Sequence, residues 1–116
     1  MVTEPQCNDL QNKSVCYIIK TDGKKFNNLF LTVASLKQNL WEDDEIIIVG
    51  FLTLDNTRVL KEYCTYKIHF LLYPEIVTCL GKLINEGVQT SNNKYVVVSD
   101  DDIIFLDGFR AKLHKL

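Results

Sequence analysis

The sequence predicts a three-layer α/β/α fold in which helices cover both faces of a mostly parallel sheet. Strand-like and helix-like segments alternate from Ser14 onward, in the order β-α-β-α-β-α-β followed by a terminal helix. Such alternation favours parallel strands joined by right-handed crossovers. The composition agrees, because 116 residues suit one domain, and 47% hydrophobic with 24% charged residues is typical of a globular protein.

Four short apolar runs, rich in β-branched residues, carry the strand predictions. They are residues 15–19, 45–49, 66–73 and 95–98. The first run is apolar throughout, so it is expected to be buried on both faces of the sheet. Gly50 and Pro74 follow the second and third runs and end those strands. Residues 1–14 are polar and aperiodic and are expected to form a loose tail, which leaves residues 15–116 as the α/β domain.

Apolar side chains recur at helical spacing between the strands and predict the helices. The first stripe comprises Phe26, Leu29, Phe30, Val33, Leu36 and Leu40. The second comprises Val59, Leu60 and Tyr63, after Asp55 as the expected N-cap. The third comprises Leu80, Leu83, Ile84 and Val88, in a helix that begins on one side or the other of Gly81. The last comprises Phe109, Leu113 and Leu116.

Charge and composition exclude several classes of protein. With 13 basic and 15 acidic residues the formal net charge is −2, which argues against nucleic-acid binding by bulk charge. No run approaches the ~20 apolar residues of a membrane span, and no basic-then-apolar signal opens the chain, so a cytoplasmic protein is expected. The cysteines lack the paired spacing of metal and redox sites and are expected to be buried thiols, and both histidines are expected to be structural. These residues are Cys7, Cys16, Cys64 and Cys79, and His69 and His114.

Asp100, Asp101 and Asp102 directly follow the fourth predicted strand. In parallel sheets, ligands bind outside the carboxyl ends of the strands at a topological switch point. If the strand continued, Asp100 and Asp102 would point to one side and Asp101 to the other. A carboxylate pair of this kind suits Mg²⁺ or Mn²⁺, which keeps its other positions for water and substrate phosphates. The aspartates therefore predict a metal–diphosphate site; the simpler alternative is a solvated acidic turn.

Other phosphate-binding and hydrolytic motifs are absent from the sequence. It contains neither a P-loop nor a dinucleotide fingerprint, and no G-x-S-x-G elbow. A receiver domain would carry its acidic pair after the first strand, where this chain has Lys20-Thr21-Asp22-Gly23. The carboxylates after the fourth strand remain the main candidate site.

Four stretches carry a resemblance to a known family. Residues 15–21 look like a first strand and nucleotide loop, 31–39 like a first helix, 81–87 like a Gly-Lys … Asn-x-Gly helix, and 95–102 like a strand ending in an Asp-x-Asp motif. In this order they resemble the N-terminal, nucleotide-sugar-binding half of a family 2-like glycosyltransferase with a GT-A fold. The resemblance implies transfer of a sugar from a nucleotide diphosphate sugar, with a UDP-sugar favoured, to an acceptor hydroxyl.

The resemblance also implies roles for the aspartates. Asp102 would coordinate Mn²⁺ or Mg²⁺, Asp100 would share the metal or contact the donor ribose, and Asp101 would lie beside the donor sugar. The remaining donor-nucleotide residues that it implies are Thr21 and Asp22, which would line the base and ribose, Lys82, which would approach the base or phosphates, and Asn85, which would shape the pocket.

Three departures from the family pattern keep alternatives open. Gly50-Phe51 stands where many members have an acidic pair that recognises the base, and Lys20 stands where proline is common. The family places its acceptor site and catalytic base after the metal motif, so the chain is expected to be a truncated donor half with no assignable catalytic residue. The alternatives are a non-catalytic nucleotide- or metal-binding or interaction module of the same fold, and a nucleotidyltransferase. A homodimer or a missing C-terminal segment would cover the sheet edge.

Overall fold

The computed structural model describes residues 14–73, 82, 85, 87–89 and 95–115. The strands are β1 (Val15–Thr21), β2 (Glu45–Gly50), β3 (Ile68–Leu72) and β4 (Tyr95–Asp100). The helices are α1 (Phe26–Lys37), α2 (Leu54–Cys64) and α3 (Phe109–His114), with a 3₁₀ turn at Thr65–Lys67. Lys82, Asn85 and residues 87–89 are also helical. The predicted tail, apart from Ser14, and the start of the helix near Gly81 lie outside the described residues.

The four strands form one parallel sheet in the order β3-β2-β1-β4, which confirms the predicted α/β class. The chain moves outward from β1 to β2 and β3, and β4 then joins the other side of β1. The boundary between β1 and β4 is therefore the topological switch point of the sheet. In the register of this pair, Lys20 lies opposite Asp100.

Both faces of β1 are buried, as its unbroken apolar run predicts. One face, with Tyr17 and Ile19, belongs to the larger core cluster, in which α1, α2 and α3 take part. The other face carries Cys16 and Ile18. A Cβ on Gly87 would come within 2.8 Å of Ile18 Cγ2, so the helical residues around Gly87 pack against this second face. The helices thus flank the sheet on both sides.

The helical stripe of α1 is confirmed. Leu29, Val33 and Leu36 are fully buried, and the other members of the stripe pack against the same cluster. The third helical stripe is only partly tested, because Leu80, Leu83 and Ile84 are not described. Val88 is 44% exposed instead of facing the sheet, since the neighbouring Gly87 takes that position.

Three element boundaries differ from the predictions. The N-cap of α2 is Thr53, whose Oγ1 accepts a hydrogen bond from the Asn56 N–H at 3.2 Å, so the assignment to Asp55 is wrong. The third strand is shorter than residues 66–73, because the 3₁₀ turn Thr65–Lys67 occupies its expected start. The fourth strand extends two residues beyond 95–98, to Asp100.

The described cysteines are buried, as expected, and each histidine contacts a neighbouring side chain. Cys16 and Cys64 are buried thiols, and burial raises the pKa of the Cys64 thiol, which keeps it protonated and unreactive. His69 Nε2 lies 3.3 Å from the Glu45 carboxylate, and His114 packs against the Trp41 ring. Cys7 and Cys79 lie outside the described residues. No helix in the described part of the chain has the length and apolar character needed to cross a membrane.

A buried ion pair that the sequence analysis missed joins distant segments of the chain. Arg110 Nε donates to Asp44 Oδ2 at 2.6 Å, and the side chains are 2% and 1% exposed. The same carboxylate accepts hydrogen bonds from the Val15 and Trp41 backbone N–H groups at 2.9 and 3.0 Å. Because Val15 begins β1, this cluster lies at the amino end of the sheet, away from the carboxyl ends where parallel sheets bind ligands.

Candidate functional site

The carboxyl ends of β1 and β4 lie side by side at the switch point and bring charged residues of opposite sign together. Lys20 Nζ forms an ion pair with Asp100 Oδ1 between the two strands. The Lys20 side chain is 16% exposed, whereas the Asp100 side chain is 59% exposed. The lysine stem is therefore fixed against the sheet, and the carboxylate remains accessible to a ligand.

Thr21, the last residue of β1, holds the turn that follows β4. Its Oγ1 donates a hydrogen bond to Asp101 Oδ2 at 2.7 Å and accepts one from the Gly23 N–H at 3.1 Å. The hydroxyl thereby joins the aspartate turn to the loop between β1 and α1. Thr21 is itself buried, so this connection is shielded from solvent.

The far side of the aspartate turn is anchored as well. The Phe105 N–H donates to Ser35 Oγ of α1 at 2.9 Å, and the Phe105 ring packs edge-on against Tyr17 at 5.8 Å between centroids. Residues 100–105 are thus attached at both ends, to β1 through Thr21 and to α1 through Ser35. A segment fixed in this way presents its carboxylates at defined positions.

Two glycines let the neighbouring loops approach this corner closely. Gly50, at the end of β2, has φ +132°, and a Cβ there would lie 1.9 Å from the Thr21 carbonyl oxygen. Gly23 has φ +79°, and a Cβ there would lie 2.5 Å from the Phe51 carbonyl oxygen. Any side chain at either position would push the β1 end away from β2. Gly50-Phe51, which stands where the family often has an acidic pair, therefore makes close backbone contacts with the end of β1 and the loop that follows it.

Asp102 does not follow the strand alternation that the sequence analysis assumed. β4 ends at Asp100, and Asp101 and Asp102 form a turn. Asp100 and Asp101 still use different partners, Lys20 and Thr21, as opposite sides of a strand predict. The position of Asp102 is set by the turn instead, so the condition under which it would share a strand face with Asp100 is not met. Asp102 is exposed, and no interaction with another described residue is recorded for it.

The carboxylates of Asp100 and Asp102 are the candidate ligands for a hard divalent cation at this corner. No group of three or more His, Cys, Asp or Glu residues that could hold a metal occurs among the described residues. Mg²⁺ and Mn²⁺ need fewer protein ligands, since one or two carboxylates suffice when substrate phosphates complete the coordination. Asp102 and Asp100 are exposed carboxylates at this corner that could each serve as such a ligand. Asp100 would have to share or exchange its ion pair with Lys20.

The amino end of α1 adds a feature suited to anions at the same edge of the sheet. α1 starts after a short loop from β1, its N-cap residue Lys25 makes no side-chain cap, and its first turn carries no acidic residue. The N–H groups and dipole of such a helix end favour negative charge. A depression of about 340 Å³ opens here, lined by Lys24, Lys25, Phe26, Asn27 and Asn28.

Of the other residues implied by the resemblance, Asp22 lies at this corner, whereas Lys82 lies near the other edge of the sheet. Asp22 Oδ1 accepts a hydrogen bond from the Lys24 N–H at 3.0 Å and shapes the loop after β1. Lys82 Nζ lies 6.0 Å from the centroid of the Tyr73 ring, just beyond β3. β3 is three strand spacings, about 14 Å, from β4. In the described part of the chain, neither Lys82 nor Asn85, both exposed, contacts the aspartates.

Lys20 is the residue of this corner that sequence reasoning undervalued. It appeared there only as a departure from a common proline. Its signal was present, because a charged residue ends a strand that is otherwise buried, and such a side chain needs a partner of opposite charge. Identifying Asp100 as that partner required the pairing of β1 with β4, which no local pattern encodes.

Comparison with known proteins assigns no family. No model of a known protein family matches the sequence, and no curated protein matches it either. Fold and site define the class of protein: a parallel α/β protein whose charged and polar side chains converge at the switch point between β1 and β4.

Proposed function

We propose that this chain is the donor-binding part of a GT-A-like glycosyltransferase that uses Mn²⁺ or Mg²⁺. The observation that supports it most is the pairing of β4 with β1, which joins the Asp-x-Asp turn to the β1–α1 loop through the Thr21–Asp101 hydrogen bond of 2.7 Å. The resemblance implies that a nucleotide diphosphate sugar uses these two segments together.

Each candidate residue would contact a different part of the nucleotide diphosphate sugar. Thr21 and Asp22 would line the base and ribose, and Asp101 would lie beside the sugar. Asp102 and Asp100 would hold the divalent metal. When bound, the metal would neutralise the negative charge that develops on the departing diphosphate. The uncapped amino end of α1 favours phosphate at the same edge. Lys82 and Asn85 would contribute only if the donor extends toward β3.

Ligand-induced stabilisation tests this proposal without requiring turnover. Mn²⁺ with UDP, and in parallel with GDP, should raise the melting temperature, because a ligand at 100 times its Kd adds about 2.7 kcal/mol to the free energy of unfolding. Asp102→Asn should remove most of the shift. Asp107→Asn, which neutralises another exposed aspartate five residues further on, should retain it.

Absence of a shift with both nucleotides in the presence of Mn²⁺ would contradict the proposal. So would an equal shift in the wild-type protein and in Asp102→Asn. A larger shift with UDP than with GDP would support the preference for a UDP-sugar, and the reverse order would assign guanine as the base.

A further inference from the structure

The ion pair between Lys20 and Asp100 has a consequence for metal binding. Under the proposed function, Mn²⁺ or Mg²⁺ at this corner would share the Asp100 carboxylate, which the Lys20 ammonium already neutralises. Two cations at one carboxylate repel each other, and the repulsion is greater where solvent is partly excluded. The lysine stem is mostly buried, so the ammonium cannot swing freely into solvent to avoid it.

We propose that Lys20 is an internal cation that competes with the divalent metal for Asp100 and thereby weakens metal binding in the absence of a diphosphate. The inference rests on the proposed function, since it assumes that metal binds at Asp100 and Asp102. It goes beyond that function by assigning a specificity-determining role to a residue for which the resemblance implies none.

The remaining contacts of the corner are consistent with this role for Lys20, which forms the ion pair with Asp100. Thr21 engages Asp101 through a neutral hydroxyl, which does not repel a metal. Among the described residues, Asp102 forms no ion pair with a lysine or arginine side chain. A bound diphosphate carries negative charge to which the displaced ammonium can turn. Metal and diphosphate should therefore bind with positive coupling that depends on the charge of Lys20.

Direct measurement of Mn²⁺ binding tests this role. The electron paramagnetic resonance signal of free Mn²⁺ falls as the ion binds protein, so a titration gives the apparent Kd without nucleotide or activity. Lys20→Met keeps the buried stem and removes the charge, and it should lower that Kd about fivefold, the upper range for releasing one partly exposed ion pair. Lys20→Arg keeps the charge and should stay within about twofold of the wild-type value.

A matched control separates the local ion pair from the overall charge of the protein. Lys61→Met removes one positive charge from the exposed surface of α2 and should leave the Kd for Mn²⁺ unchanged. Lys20→Gln provides a second neutral variant if Lys20→Met does not fold, as judged by circular dichroism and melting. With UDP present, the difference between the wild-type protein and the neutral variants should shrink.

The outcomes distinguish this inference from the proposed function. If Asp102→Asn loses Mn²⁺ binding while neutral Lys20 variants bind it as the wild-type protein does, the inference is wrong and the function stands. If Lys20→Arg or Lys61→Met tightens binding as much as Lys20→Met, local competition is wrong as well. If neither the wild-type protein nor any Lys20 variant binds Mn²⁺, with or without UDP, both the inference about Lys20 and the proposed function are wrong. Binding by the neutral variants alone would support competition in its strongest form.

Discussion

The pKa of Tyr17 in β1 is changed by the burial of its side chain and by two charged residues nearby. Its side chain is fully buried, and its hydroxyl has no hydrogen-bond partner among the described residues. Burial, together with the nearby Asp44 carboxylate, raises the pKa of Tyr17 to about 12, and Arg110 opposes these two effects in part. The sequence predicted the burial of this strand, but the two charges lie far along the chain and could not be placed beside Tyr17.

The raised pKa of Tyr17 predicts an alkaline loss of stability. Between pH 10 and 12 an unfolded tyrosine has released its proton whereas Tyr17 in the folded protein retains it, so the free energy of unfolding falls as pH rises through this window. A shift of this size corresponds to about 2–3 kcal/mol. Urea unfolding at pH 8 and near pH 12 should show Tyr17→Phe losing less stability than the wild-type protein by about that amount.

Two features keep the Tyr17 measurement specific. At pH 8, Tyr17→Phe should change stability by no more than about 1 kcal/mol, since the hydroxyl that it removes is unpartnered. Tyr66→Phe is the control, because the Tyr66 side chain is 78% exposed and the substitution removes a tyrosine hydroxyl outside the core. The interpretation would be wrong if Tyr17→Phe and Tyr66→Phe followed the same pH dependence.

At the scale of elements, the spacing of apolar residues predicted which side of a helix packs against the sheet. It did not predict the residue at which a helix begins, which depends on capping hydrogen bonds and backbone dihedrals. The stripe of α1 was read correctly because Leu29, Val33 and Leu36 face one core at helical spacing. The start of α2 was misread because Thr53 and Asp55 are both good capping residues two positions apart. The extended backbone of Thr53 decides between them, with ψ 161°, and that dihedral is not visible in the sequence.

The cap of α2 gives a prediction at this scale. Thr53→Ala removes the oxygen that accepts the Asn56 N–H and should lower the free energy of unfolding by about 1 kcal/mol. Asp55→Ala, in the exposed first turn, should lower it by about 0.5 kcal/mol or less. Thr53→Ser keeps the oxygen and serves as the control. Urea unfolding measures all three, and a larger effect of Asp55→Ala than of Thr53→Ala would restore Asp55 as the cap.

For the whole molecule, the sequence located the candidate site only in part. Alternating segments predicted a parallel sheet, and the aspartates after the fourth strand predicted a site at a strand end. The strand order β3-β2-β1-β4, which puts Lys20 beside Asp100, depends on packing of the entire chain. Pairs separated by 80 residues, such as Lys20 with Asp100, leave no local pattern.

The buried pair Asp44–Arg110 illustrates the same limit at the opposite end of the sheet. In the sequence, Asp44 belongs to the acidic run 42–45, and Arg110 lies in a short terminal helix, both typical of solvated surface. In the fold, Asp44 binds the start of β1 through the Val15 N–H and α3 through Arg110. The guanidinium also lies 4.0 Å from the centroid of the Trp41 ring. One carboxylate thus joins three segments that are distant along the chain.

Breaking this pair should destabilise the whole domain. Arg110→Met retains most of the side-chain volume but leaves the Asp44 charge buried and unpaired, which should lower the free energy of unfolding by about 3–5 kcal/mol. Asp44→Asn should also be destabilising, because it removes the negative charge that accepts two hydrogen bonds from the Arg110 guanidinium. The double variant should lose less than the sum of the two, since neither charge then remains unpaired.

Urea unfolding of the two single variants, the double variant and the wild-type protein forms a double-mutant cycle that measures the coupling. Lys112→Met, an exposed position on the same helix, controls for loss of a positive charge from α3 and should change stability by no more than about 0.5 kcal/mol. A loss below about 1 kcal/mol for Arg110→Met, or effects of the two substitutions that simply add, would show that α3 is not held through Asp44. Strong coupling would instead show that the Asp44–Arg110 interaction holds α3 to the segment that also binds the start of β1.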